Sequence, residues 1–160
     1  MARNEIIIAV PPEAVFDVLA DARTYGTWVV GSREIRAADE SWPRPGSALD
    51  HSVGKAPLVI RDDTSVLDSR PPVMLELRAR ARPLPTARIT LHLQADGRGT
   101  RVTMIEQPTS RVLSVVGGPL LHALIRVRNR ESLRRLKALA EGTMPRPSGM
   151  LPTRHGADTP

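Results

Sequence analysis

Hydrophobic positions change period along this chain, and the changes mark its elements. Ile6, Ile7 and Ile8 lie in a stretch from Asn4 to Val10 that stops at Pro11-Pro12, which predicts an edge strand. Pro12 suits the first position of a helix, because its missing N–H would be unpaired there anyway. In the helix running to about Asp21, Val15, Phe16, Val18 and Leu19 recur at helical spacing and predict one buried face. Ala22 to Gly31 predicts a second short helix broken at Gly26, carrying Tyr25 and Trp28 toward the rim of the sheet.

From Ser32 onward the period becomes two. The alternation predicts strands near Ser32–Ala38, Ser47–Gly54, Leu58–Leu67, Val73–Arg82, Ala87–Ala95 and Thr100–Gln107. Turn residues separate them: Pro43 to Gly46, Gly54 to Pro57, Ser69 to Pro72, Pro83 to Pro85, and Asp96 to Gly99. With no helices interleaved, these strands form an antiparallel meander. A last helix opens at Gly117-Gly118-Pro119 and stops at Gly142; at 1.5 Å per residue it is about 35 Å long, enough to cross the sheet. The fold class is α+β: a curved antiparallel sheet of about seven strands around a long C-terminal helix, with two short helices after the first strand. Residues 1–142 are expected to form one domain, and 143–160, rich in Pro, Gly, Ser and Thr, a disordered tail.

Alternation also assigns the inward face. Ile89, Leu91 and Leu93 oppose Arg88, Thr90 and His92, while Leu75, Leu77, Ala79 and Ala81 oppose Glu76 and three arginines. The same rule turns polar side chains inward: His51 between Leu49 and Val53, Asp62 and Thr64 among Leu58, Ile60 and Val66, and Glu106 beside Val102 and Met104. On the last helix, Ile125, Leu133, Leu136 and Ala140 form a stripe that also holds His122 and Asn129. An unpartnered buried polar group costs about 1–3 kcal/mol, so these groups pair with each other or line a wetted cavity. The expected lining is Trp28, His51, Ile60, Asp62, Thr64, Leu75, Leu77, Leu91, Met104, Glu106, His122, Ile125 and Asn129. His51, Asp62 and Glu106 are the candidate acid–base groups. Trp28 and Trp42 are either a lid or packed loop junctions.

Composition narrows the classes. The chain has 160 residues, enough for one sizeable core, and no cysteine, hence no disulfide, thiolate nucleophile or cysteine zinc site. A reducing cytoplasm is the expected compartment, and no segment is long and apolar enough to predict a signal peptide or membrane insertion. The net charge of +6 invites a nucleic-acid reading, but the arginines are dispersed and the four aromatics lie outside the basic stretches, so nucleic acid is not the expected partner. His51, His92, His122 and His155 lack close metal spacing, and phosphate-loop, dinucleotide and nucleophile-elbow motifs are absent. No metal or cofactor is expected.

The strand leading into Pro11-Pro12-Glu13-Ala14-Val15-Phe16, the Tyr25-Gly26-Thr27-Trp28 segment, the six-strand middle ending in Gly99 to Thr103 and the long C-terminal helix together resemble the START-like (SRPBCC) superfamily. The similarity covers about Asn4 to Glu141. More narrowly, the chain is similar to the polyketide cyclase/dehydrase and lipid-transport group, with the helix-grip fold of Bet v 1-like proteins. The resemblance implies a ligand between the sheet and the last helix, entering near the short helices and strand loops. It carries no catalytic motif to particular positions. Three functions follow as expectations: binding or transport of a small hydrophobic molecule such as a lipid or polyketide; cofactor-independent cyclase or dehydratase chemistry; or protein interaction through Arg126, Arg128, Arg130, Arg134 and Arg135. The protein is expected to be a monomer or homodimer.

Overall fold

The computed structural model describes residues 1–55, 58–81, 84–109 and 118–154. Parts of the predicted turns at Gly54–Pro57 and Pro83–Pro85, the predicted helix start at Gly117, and the tail from 155 lie outside them. The elements are β1 (Ala2–Ile8), α1 (Pro12–Ala20), a 3-10 turn (Ala22–Thr24), α2 (Tyr25–Trp28), β2 (Ser32–Ala38), β3 (Ala48–Lys55), β4 (Leu58–Arg70), β5 (Met74–Ala81), β6 (Leu84–Asp96), β7 (Gly99–Pro108) and α3 (Gly118–Ala140). All seven strands join one antiparallel sheet in the order β1-β7-β6-β5-β4-β3-β2, the predicted meander closed by the first strand beside the last. No helix among the described residues is long and apolar enough to cross a membrane.

Local chemistry explains the short helices. Pro12 opens α1 with Glu13 in its first turn, and Val15, Phe16, Val18 and Leu19 are buried. The Asp21 carboxylate then accepts the Arg23 backbone N–H at 3.0 Å and caps the 3-10 turn. The predicted break at Gly26 does not occur: Gly26 lies inside α2, and a Cβ there would stand 2.0 Å from the Arg33 carbonyl oxygen of β2. Glycine is needed for close approach, not for a bend. Tyr25 and Trp28, predicted at the rim, are both buried.

Helix α3 runs alongside β1 in the same direction. Asn4 donates through Nδ2 to the Arg126 carbonyl (3.1 Å), Lys137 donates through Nζ to the Ile7 carbonyl (2.8 Å), and Glu141 accepts the Ala9 N–H (2.7 Å). Gly142, at φ +75°, ends the helix in the left-handed region, and the Thr143 and Met144 N–H groups donate back to the Ala138 carbonyl.

The tail differs from the sequence expectation up to Arg154. Met144 and Leu151 pack against the core, the Ala38 N–H donates to the Pro152 carbonyl, and the Arg154 N–H donates to the Ala38 carbonyl. Arg154 also bonds the Asp50 carboxylate at 3.1 Å. The tail alone has too little apolar surface to fold, but the edge of β2 and the core surface under Met144 and Leu151 supply what its composition lacks.

Candidate functional site

The sheet lattice divides the interior into two zones. One row of inward positions runs Asn4–Met104–Leu91–Leu75, and the next runs Ala2–Glu106–Ile89–Leu77–Val66. Leu75, Leu77 and Leu91 have no accessible surface, and Met104, Val66 and Ile89 have almost none. These rows form a packed core with α1 and the C-terminal half of α3, where Leu133, Leu136 and Leu139 are equally enclosed. The third row runs Pro108–Ala87–Ala79–Thr64–Leu49. Here Ala87 and Ala79 are only half-buried although they point inward, as are Ile60 and Val53 farther along β4 and β3. Alanines at these positions leave the middle of the sheet without the long side chains that fill the neighbouring rows. The first turns of α3 carry His122 and Ile125, both half-buried.

Two polar clusters flank the alanines. On the β3–β4 side, His51 and Asp62 are direct cross-strand partners and both are buried. The Tyr25 hydroxyl lies 2.8 Å from Thr64 Oγ1, Thr64 Oγ1 lies 3.2 Å from His51 Nε2, and His51 Nδ1 lies 3.2 Å from Ser32 Oγ. Burial pushes the Tyr25 phenol up to about 12, so it stays protonated and able to donate. The chain is then satisfied with Tyr25 donating to Thr64, Thr64 donating to His51 Nε2, and His51 donating from Nδ1 to Ser32. Tyr25 in turn holds Trp28 and Trp42 edge-on, at ring separations of 5.5 and 6.3 Å, and Trp42 donates through Nε1 to the Leu19 carbonyl. Both tryptophans are packed junctions.

Burial also lowers the His51 pKa below its ordinary value of 6.5; the Asp62 and Asp63 carboxylates oppose that shift without reversing it. The folded state therefore binds the His51 proton less readily than the unfolded chain, and its contribution to stability is lost as pH falls through and below about 6.5. In urea titrations at a series of pH values, His51→Gln is expected to lose less stability than the wild type between pH 7 and 5, the two curves separating by at most about 1.4 kcal/mol per pH unit. Parallel curves would mean that the imidazole is as easily protonated inside as outside.

On the β7–α3 side, Arg128 donates through Nη2 to Glu106 Oε1 and Oε2 at 2.7 and 2.5 Å, and Asn129 donates through Nδ2 to Glu106 Oε2 at 2.8 Å. The Glu106 side chain is 6% exposed and that of Arg128 36%, so the guanidinium reaches in from the rim to a carboxylate inside. The sequence groups Arg128 with Arg126, Arg130, Arg134 and Arg135 as an interaction surface of the last helix. The structure corrects this; Arg126, Arg130 and Arg134 are exposed, but Arg128 turns to the interior. Its signal was available, since it lies three residues after Ile125 and four before the buried Ser132. Sequence reasoning also missed Tyr25, whose hydroxyl bonds Thr64 39 positions away, and Ser32, which bonds His51 19 positions away.

His51 and Asp62 are thus brought together, while Glu106 stands apart with β5 and β6 between. Leu75, Leu77 and Leu91 belong to the packed rows; Ile60, His122 and Ile125 retain accessible surface; Thr64, Asn129 and Trp28 are enclosed. Two hollows open away from these rows: a groove of about 630 Å³ between Phe16, Trp42 and Pro71, and one of about 290 Å³ between α2, β2 and residues 147–151 of the tail.

A seven-stranded antiparallel sheet around a long C-terminal helix defines a helix-grip fold. The chain belongs to the polyketide cyclase / dehydrase and lipid transport family, whose model matches residues 2–141. Its fold is similar to that of TTHA0849 from Thermus thermophilus (15% identity, 89% of this chain and 97% of that one, TM-score 0.68). It is also similar to Ara h 8.0201 (10% identity, 88% and 96%, TM-score 0.64) and to the Zhui aromatase/cyclase from Streptomyces sp. R1128 (16% identity, 88% and 92%, TM-score 0.64). No curated protein matches the chain by sequence.

Proposed function

We propose that this protein binds a small hydrophobic molecule against the Ala79–Ala87 row, beneath the first turns of α3, with its polar end toward Arg128. The observation that carries this reading is the pair of half-buried inward alanines between two polar clusters, beside rows whose leucines are completely enclosed. Apolar area there supplies affinity, and the few convergent polar groups supply orientation.

Acid–base catalysis, the alternative that an aromatase/cyclase of similar fold suggests, has less support. Both His51 nitrogens are taken by Thr64 and Ser32, and the Glu106 carboxylate is taken by Arg128 and Asn129. A general base needs a lone pair within reach of the substrate proton; His51 offers none without first breaking these bonds, and Glu106 offers only the part of its carboxylate that Arg128 and Asn129 leave open.

Native mass spectrometry of the purified protein, with organic extraction of anything that dissociates, tests binding directly. The expected spectrum contains an adduct that disappears on denaturation and recovers as an apolar molecule. A bare chain mass under both conditions, together with no binding of an apolar fluorescent probe, would overturn the reading.

A further inference from the structure

The bonds of Arg128 are unevenly distributed. Nη2 goes to both Glu106 oxygens, and Nε and Nη2 reach Asn129 Oδ1 at 3.4 and 3.3 Å. Nη1 has no partner among the described residues, so two N–H donors of a half-buried guanidinium remain for something else. Its charge, however, is already matched. Glu106 holds it in a site where the carboxylate is almost enclosed and Asn129 donates to the same oxygen.

We propose that Glu106, by occupying the Arg128 guanidinium, makes this site select ligands whose polar end is a neutral oxygen acceptor, such as a ketone or ester carbonyl, over ligands ending in a carboxylate. The inference rests on the binding reading above. A carbonyl oxygen accepts from Nη1 and leaves the Glu106 pair intact. A ligand carboxylate in the same place meets a second carboxylate nearby, and its own desolvation finds no net positive charge to offset it. Glu106 is then a specificity-determining residue and not an acid–base catalyst. Glu106→Gln keeps the shape and the oxygen acceptor but releases the guanidinium charge, which an ionised head can then take up in a bidentate pair.

The test is competition of two chain-matched probes, decanoate and 2-undecanone, against an apolar fluorescent dye at pH 7.5, with thermal melts confirming that each variant is folded. In the wild type 2-undecanone is expected to bind at least about tenfold more tightly than decanoate, and Glu106→Gln is expected to reverse the order. The double variant E106Q/R128Q, with neither charge, is expected to lose the reversal while still binding the ketone. Equal affinities in the wild type, a wild-type preference for decanoate, or an unchanged order in Glu106→Gln would overturn the selectivity while leaving ligand binding standing. Dye and ketone both failing to bind any of the three proteins would overturn the binding reading and this inference with it.

Discussion

Leu91→Ala is expected to lower folding stability by about 3 kcal/mol while changing the affinity for an apolar probe little. Leu91 lies on β6 between Leu75 and Met104, with no accessible surface, so the lost methyl groups leave a cavity whose walls are strands paired on both sides and cannot collapse into it. The loss is a large share of the roughly 5–15 kcal/mol by which a domain is stable, and a shift of the urea midpoint measures it. A loss under about 1 kcal/mol would mean that the leucine already faces a void, as a ligand-lining residue does.

That expectation reverses the sequence assignment of Leu75, Leu77 and Leu91 as ligand-lining residues, and the reason is instructive. Period-two alternation reports which way a side chain points. It does not report what stands opposite. The meander, its register and the inward set were all legible, because one-residue slips would have sent Leu75, Leu77, Ile89 and Leu91 to solvent together. Whether an inward position is packed depends on where α1 and α3 lie over the sheet, and that is fixed by contacts as remote as Asn4 to Arg126 and Lys137 to Ile7. Side-chain size carried the missing signal: Ala79 and Ala87 interrupt rows of leucine and isoleucine on adjacent strands.

The polar interior was legible as composition and not as partnership. His51, Asp62, Thr64, Glu106 and Asn129 were all placed inside, and all are buried. Their pairings are not visible in the sequence, since Tyr25 and Ser32 come from the segment around α2 and Arg128 reads as one of five arginines of an interaction surface. Arginine's long apolar stem lets its head reach inward from a rim position, so a run of arginines on a helix need not share one fate. The tail up to Arg154 departs from its expectation for a similar reason. Proline and glycine content describes a segment alone, whereas Pro152 and Arg154 bond to the open edge of β2.

The central claim is that the inner face over Ala79 and Ala87 is where a ligand lies, and adding bulk there separates it from every alternative. Ala79→Leu and Ala87→Leu place a branched side chain over the row between the two polar clusters. If that space is free, the new side chain occupies it in place of the ligand: stability changes by less than about 1 kcal/mol, since little is displaced but solvent. If the row is packed, the same substitutions overfill it at a cost of about 1–3 kcal/mol. The deciding measurement is a fluorescence titration of an apolar probe on both variants beside the wild type, with melting temperatures recorded on the same samples. The account predicts at least a tenfold loss of probe affinity with melting temperatures nearly unchanged; unaltered affinity with clearly lowered melting temperatures would contradict it.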